Sequence, residues 1–205
     1  MKLGKVSTFL LFNLLCINVY AEGFSAGVAV TYLSGMKDLS DLYESNLEND
    51  PNVFVESDVT NIPIGVGFRG KYEMDFGLRT DFAVGPLMAF IIEEDDGDDE
   101  TFDTDFAHIE LPLSVTLGYN FVPRGGVSPY IRAGFAYHLV NGDYDVSSSA
   151  GLLAAIGLEF GRGDRFVWGL EAGVDDSTVE FVDFANFRTV ELNTVDAFLS
   201  LYFLF

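Results

Sequence analysis

The sequence predicts an all-β protein, an eight-stranded, antiparallel, up-and-down transmembrane β-barrel. Three observations predict it. Apolar residues recur at every second position in eight separate stretches, the period of a β-strand. Within those stretches the bulky apolar residues share one face, while glycine, alanine and the charges share the other. A soluble barrel would turn its bulky residues inward, so this sense fits a barrel whose outer solvent is lipid. Finally, the connections alternate between short turns and long acidic loops, as in barrels that cross an outer membrane.

The strands follow in order. Strand 1 covers residues 24–33, with Phe24, Ala26, Val28, Val30 and Tyr32 on the lipid side. Strand 2 covers 62–72, where Ile64, Val66 and Phe68 oppose Arg69 and Lys71. Strand 3 runs from 76 to about 92, with Phe82, Val84, Met88 and Phe90 outward and Arg79 and Asp81 inward. Strand 4, 106–121, sets Leu111, Leu113, Val115 and Leu117 against His108 and Glu110. Strand 5, 129–140, sets Ile131, Phe135 and Tyr137 against Tyr130, Arg132 and His138. Strand 6, 152–161, carries Glu159 inward, and strand 7, 166–175, carries Glu171. Strand 8 is the C-terminal stretch TVDAFLSLYFLF. Its positions Val195, Ala197, Leu199, Leu201, Phe203 and Phe205 are all apolar, and Asp196, Ser200 and Tyr202 fall on the polar side. An apolar strand at a chain end is a liability in water. It is explained if strand 8 pairs with strand 1 and closes the cylinder, because every backbone group in lipid needs a partner.

The connections after strands 1, 3, 5 and 7 are the long ones, loops 1 to 4 in chain order, at about 34–61, 93–105, 141–150 and 176–193. The last, STVEFVDFANFRTVEL, keeps enough alternation to extend strands 7 and 8 as a hairpin. In the first, Leu39, Leu42, Tyr43 and Leu47 stand at helical spacing. Such a helix touches a partner or the membrane surface, or caps the barrel mouth, or stays unfolded. These alternatives remain open at this stage.

Residues 1–21 read as a cleaved signal peptide, leaving 22–205 as the barrel domain. Lys2 and Lys5 precede a short apolar run, and Val19-Tyr20-Ala21 forms a small-residue cleavage site. The run is too short to span a bilayer as a helix. The one cysteine, Cys16, lies within it, so the mature chain is expected to have no disulfide. Loss of this segment leaves 9 Lys and Arg against 32 Asp and Glu, a net charge of 9 − 32 = −23. A surface so acidic repels phosphate backbones and excludes nucleic acid as a partner.

Candidate sites fall in three places. The lumen is expected to hold Arg69, Lys71, Arg79, Asp81, Glu110, Arg132, Glu159, Glu171 and Asp196 as a network of paired charges. An eight-stranded barrel leaves room for side chains and little more, so a structural plug is favoured over a gated ion path. The stretch 93–105 holds nine acids. Its Asp95, Asp96, Asp98, Asp99 and Glu100 are oxygen donors that suit Ca²⁺ as a bridging ion. Their spacing is not that of a calcium-binding loop, and no cofactor is expected. His108 and His138 are the candidate bases for a hydrolase. Neither has a hydroxyl two residues on, and Ser147, Ser148 and Ser149 form no recognisable triad with them. An enzyme is not expected.

The stretches HIELPLSVTLGYNF and SPYIRAGFAYHL carry a resemblance. They hold an E-x-P-L strand, Glu110-Leu111-Pro112-Leu113, then a P-Y-x-x-x-G strand, Pro129-Tyr130 through Gly134. In these the chain resembles the small outer-membrane β-barrel proteins of Gram-negative bacteria, the OmpA/OmpX-like group. The resemblance extends over the whole mature chain. It implies a bacterial outer-membrane location, periplasmic termini, and outer-membrane lipid as surroundings. It also implies that Phe203 and Phe205 act as the signal read by the barrel assembly machinery. Ser200 stands where that signal commonly has glycine, and Phe198 where it has a polar residue. The function expected is a non-enzymatic structural or surface-interaction role, with an unidentified extracellular partner at loops 1, 2 and 4. A narrow, porin-like channel is the alternative, and a lipid-modifying hydrolase the third possibility.

Overall fold

The computed structural model describes residues 23–49, 57–61, 64–94, 103–142, 145–148, 150–161, 166–183 and 186–205. The proposed leader and the acids at 95–100 lie outside these residues. Eight strands close on one another: β1 (Phe24–Leu33), β3 (Ile64–Glu73), β4 (Leu78–Glu94), β5 (Asp103–Asn120), β6 (Val127–Gly142), β8 (Ala150–Phe160), β9 (Val167–Asp175) and β12 (Asp196–Leu204). Every neighbouring pair is antiparallel. The last strand closes on the first from Gly27 opposite Leu204 to Leu33 opposite Phe198. Phe205 exchanges backbone hydrogen bonds with Ala26 at 2.9 and 3.3 Å. The C-terminal residue is therefore part of the closure, and the barrel has no free edge there.

The wall is inverted as the alternation predicts. Phe135 and Ile156 are each 65% exposed, while Arg79 is 1% exposed. Aromatic rings cluster at the end of the barrel that bears the termini. Phe160 stacks on Trp168 at 4.2 Å, and Phe166 lies 5.6 Å from both Phe203 and Phe205. Such girdles mark the level of a membrane interface.

A crossing needs about 9–11 tilted residues, yet β4, β5 and β6 have 17, 18 and 16. The surplus projects past the rim on the loop-bearing side. There β2 (Ser57–Asn61) pairs with the far end of β4. A separate three-stranded sheet forms from β7 (Asp145–Ser148), β10 (Val179–Asp183) and β11 (Arg188–Leu192). The hairpin expected from the partial alternation at 177–192 is β10 with β11, paired from Val179 opposite Leu192 to Asp183 opposite Arg188.

The one helix among the described residues, α1 (Met36–Asn49), follows β1 directly. Met36, Leu39, Tyr43 and Asn46 recur at three- and four-residue intervals, which places them on one face. All four are fully buried. That face lies over the barrel mouth. Tyr43 packs edge-on against Phe181 at 6.4 Å, and Asn46 Nδ2 donates to the Val182 carbonyl at 2.6 Å. Of the alternatives left open for this segment, the structure shows the cap. The inward residues Ala136 and Ala155 are short, so the upper lumen has space that the strands alone do not fill.

Candidate functional site

The lumen is filled in two layers. In the layer nearer the termini, four cations meet four carboxylates: Arg69, Lys71, Arg79 and Arg132 with Glu73, Asp81, Glu159 and Glu171. Glu171 on β9 takes Arg132 at 2.6 Å and Arg69 at 2.9 Å. Asp81 on β4 takes Arg79 at 2.5 Å and Arg69 at 2.9 Å. Glu159 on β8 takes Lys71 at 2.8 Å and Arg79 at 2.9 Å. Each of these three carboxylates thus ties together cations from different strands, and opposite walls are joined through the lumen; Glu73 takes Lys71 at 3.2 Å. The layer is neutral by count. A neutral, mutually bonded set is the condition under which buried ions are tolerated.

Two tyrosines complete it. Tyr130 donates to Glu171 at 2.6 Å and Tyr202 donates to Glu159 at 2.9 Å. Arg79 and Arg69 lie 4.0 and 4.2 Å over the Tyr130 and Tyr202 rings, within cation–π range. The rings have this space because of glycines. A Cβ at Gly157 would fall 2.4 Å from Tyr130, and one at Gly169 would fall 2.3 Å from Tyr202.

The second layer is apolar with one polar patch. Leu33, Leu153, Val195 and Phe198 point inward with α1 above them. Beside them His138 stands between two carboxylates. Its Nδ1 bonds Glu110 and its Nε2 lies 2.7 Å from Ser177 Oγ and 3.5 Å from Asp175. Thr194 donates to Glu110 at 2.6 Å. The E-x-P-L strand builds this patch, because Pro112 is the cross-strand partner of His138. Between the layers lies a cavity of about 60 Å³, walled in part by Thr31, Ser114, Arg132 and Ser200, enough for a few waters.

Serine, histidine and glutamate in a row suggest a hydrolase, but the protons run the wrong way. Ser177 has one hydroxyl proton and gives it to the Asp175 carboxylate, which has none to return. The bond between Ser177 and His138 must then be donated by the ring. A general base would need the reverse. Ser177, His138 and Glu110 are also completely buried.

The structure corrects the expected network in two places. Asp196 does not enter the lumen. It sits at φ +50°, a turn that breaks the alternation, so Asp196 and Ala197 are both exposed while Val195 and Phe198 turn inward. Asp196 instead accepts a hydrogen bond from Ser34 Oγ at 3.4 Å. Glu110 is inward, yet it belongs to the His138 patch rather than to the arginine layer. The remaining seven residues, Arg69, Lys71, Arg79, Asp81, Arg132, Glu159 and Glu171, do meet. Reading the sequence missed Glu73, which lies one residue past the expected end of strand 2, and Tyr130 and Tyr202 as network members, although their strand parity puts them inside. It also missed Ser177, for which the sequence carries no local signal. His108 lies in β5 opposite Phe90. Phe203 and Phe205 sit in the aromatic end of the wall. Among the described residues no group of three or more His, Cys, Asp or Glu is placed to hold a metal.

With this geometry in hand, the comparisons are informative. Residues 7–178 match the family model described as outer membrane protein beta-barrel domain. The chain belongs to this family. Its barrel strands are transmembrane strands and its location is the outer membrane. The fold is similar to that of the outer membrane protein OprG from Pseudomonas aeruginosa, at 11% identity and a TM-score of 0.51, over 88% of this chain and 92% of that one. It also matches the outer membrane protein AlkL, at 12% identity and a TM-score of 0.47, over 89% of each chain. At such identities the likeness is one of fold. A comparison with curated protein sequences finds no match.

Proposed function

We propose that this protein is a non-enzymatic, closed outer-membrane barrel that acts through the surface it displays outside the cell. In this reading the termini are periplasmic, the first 21 residues are a cleaved leader, and the long acidic connections face outward. Its partners are outer-membrane lipid, the barrel assembly machinery, which reads Phe203 and Phe205, and an extracellular contact at loops 1, 2 and 4. No cofactor is required. One observation carries the reading: the lumen is bonded across by a neutral ion layer and covered by α1, which leaves the outer surface as the accessible face.

Recording from the folded full chain in planar bilayers tests it. A silent membrane is the expected result. Discrete current steps that change with Arg132→Ala would overturn it in favour of the narrow channel. That second reading is favoured by the cavity between the layers, on whose wall Arg132 lies.

A further inference from the structure

We infer that the tip of the β10–β11 hairpin is the anchor of an interface with a basic protein, Phe187 entering an apolar pocket on that partner while Glu180 and Glu191 receive its cations. The inference rests on the surface-contact reading above and names the site and the chemistry of the partner.

Phe187 is 92% exposed, more than any other large apolar residue described. The lipid-facing rings lie on the barrel strands, whereas Phe187 stands on a hairpin beyond the end of β9. Its φ is +51°, in the left-handed region where a side chain is strained. Strained positions persist only where their surroundings over-determine them, and they gather at functional sites.

Here the surroundings are explicit. The buried carboxylate of Asp183 accepts from Asn186 N at 3.1 Å, Asn186 Nδ2 at 2.9 Å and Arg188 Nε at 3.3 Å. These bonds hold Asn186 and Arg188 on either side of an aromatic ring that stands in water. An exposed, preorganised aromatic is the kind of residue that dominates a protein interface.

The charge beside it chooses the partner. Glu180 and Glu191 are directly opposite in the register. They lie on the face turned away from α1, because their neighbours Val179, Phe181, Val190 and Leu192 pack toward it. Glu180 accepts a hydrogen bond from Ser147 Oγ at 2.7 Å, which satisfies its oxygen without neutralising its charge; like charges in facing positions destabilise a strand pair, and a cationic partner relieves this. The full sequence carries a net charge of −21, which attracts basic protein surfaces and repels phosphate-bearing lipid ones.

The test uses the full chain in lipid nanodiscs, with a phage-displayed library of short random peptides as the probe. Selection on wild type, after removal of binders to empty nanodiscs, should return peptides that combine an apolar residue with Lys or Arg. Phe187→Ser should weaken them about thirtyfold. Glu180→Gln with Glu191→Gln should remove most of the salt dependence of binding. The heat-induced mobility shift of each variant on a gel verifies that the barrel is folded. Peptides that bind wild type and Phe187→Ser alike would overturn the anchor and leave the surface-contact reading intact. No peptides above the empty-nanodisc background would overturn both. If the nanodisc-held barrel instead floats with vesicles of phosphatidylethanolamine and phosphatidylglycerol, and Phe187→Ser abolishes this, the tip contacts lipid and the protein partner is wrong.

Discussion

Near the termini the barrel is filled by Arg69, Arg79 and Arg132 interleaved with Asp81, Glu159 and Glu171. Near the loops it is filled by Leu33, Leu153 and Phe198 beneath the apolar stripe of α1. The ionic half is complete within the strands, since each charge finds its partners on neighbouring or opposite walls. The apolar half borrows its filling from a segment outside the barrel. The contrast teaches that closure of the cylinder and closure of its mouth are separate problems. The first was solved with directional bonds that fix which strands face each other. The second was solved chiefly with apolar burial under a helix, to which Asn46 adds one hydrogen bond.

The largest expected effect would come from Glu171→Ala. It strips Arg69 and Arg132 of their shared carboxylate and Tyr130 of its acceptor, and breaking a buried pair of this kind costs about 3–5 kcal/mol. Urea unfolding of the barrel in detergent measures it. A change under about 1 kcal/mol would show that the ion layer does not hold the walls together and would break the comparison.

Tyr43→Ala probes the other half. Truncating a buried aromatic costs about 3–5 kcal/mol, more than a locally docked helix can absorb, so α1 should undock while the barrel stays intact. Hydrogen exchange is the readout: amides across 36–49 should lose protection and those of β3, β6 and β9 should keep theirs. Loss of protection in both would mean that the mouth and the wall unfold together.

The smallest effect sharpens the comparison at its outer end. Asp183 is held below the ordinary carboxylate range, chiefly by the hydrogen bonds from Asn186 and then by Arg188. A depressed carboxylate stabilises the fold above its ordinary titration range, and the contribution is lost as the pH falls through its folded value. Acidification below about pH 4 should therefore loosen the tip around Phe187, seen as a shift of the Asn186 amide resonance. The docking of α1 rests on Met36, Leu39, Tyr43 and the Asn46 bond to a backbone carbonyl, none of which titrates in this range, and should not respond in the same step. A resonance indifferent to pH would mean that Asp183 does not hold the turn.

Much of this was legible in the residues. Alternation needs only the pleat, in which neighbouring side chains point to opposite faces. It therefore located the eight strands, the inversion of the wall and the closure at Phe205. The same parity put Arg69, Arg79, Arg132, Glu159 and Glu171 inside. It failed at Asp196, where one positive φ reverses the parity, turning Asp196 outward and Val195 inward. It failed again at Glu110, since parity tells which face a residue occupies and not its height along the lumen.

Which charges share a layer, that Tyr130 and Tyr202 reach across Gly157 and Gly169, and that Ser177 returns to His138 from a loop were decided only in three dimensions. Many of these contacts join residues far apart in the chain, 39 positions for Ser177 with His138 and 102 for Arg69 with Glu171. The sequence by itself determined the strands, their sense and their medium, because these follow from local geometry and the preference of each side chain for water or lipid. The layered filling, and the choice of α1 as a cap rather than a free arm, belong to the tertiary structure. They depend on the stagger of the strands and on the space that short inward residues such as Ala136 and Ala155 leave behind.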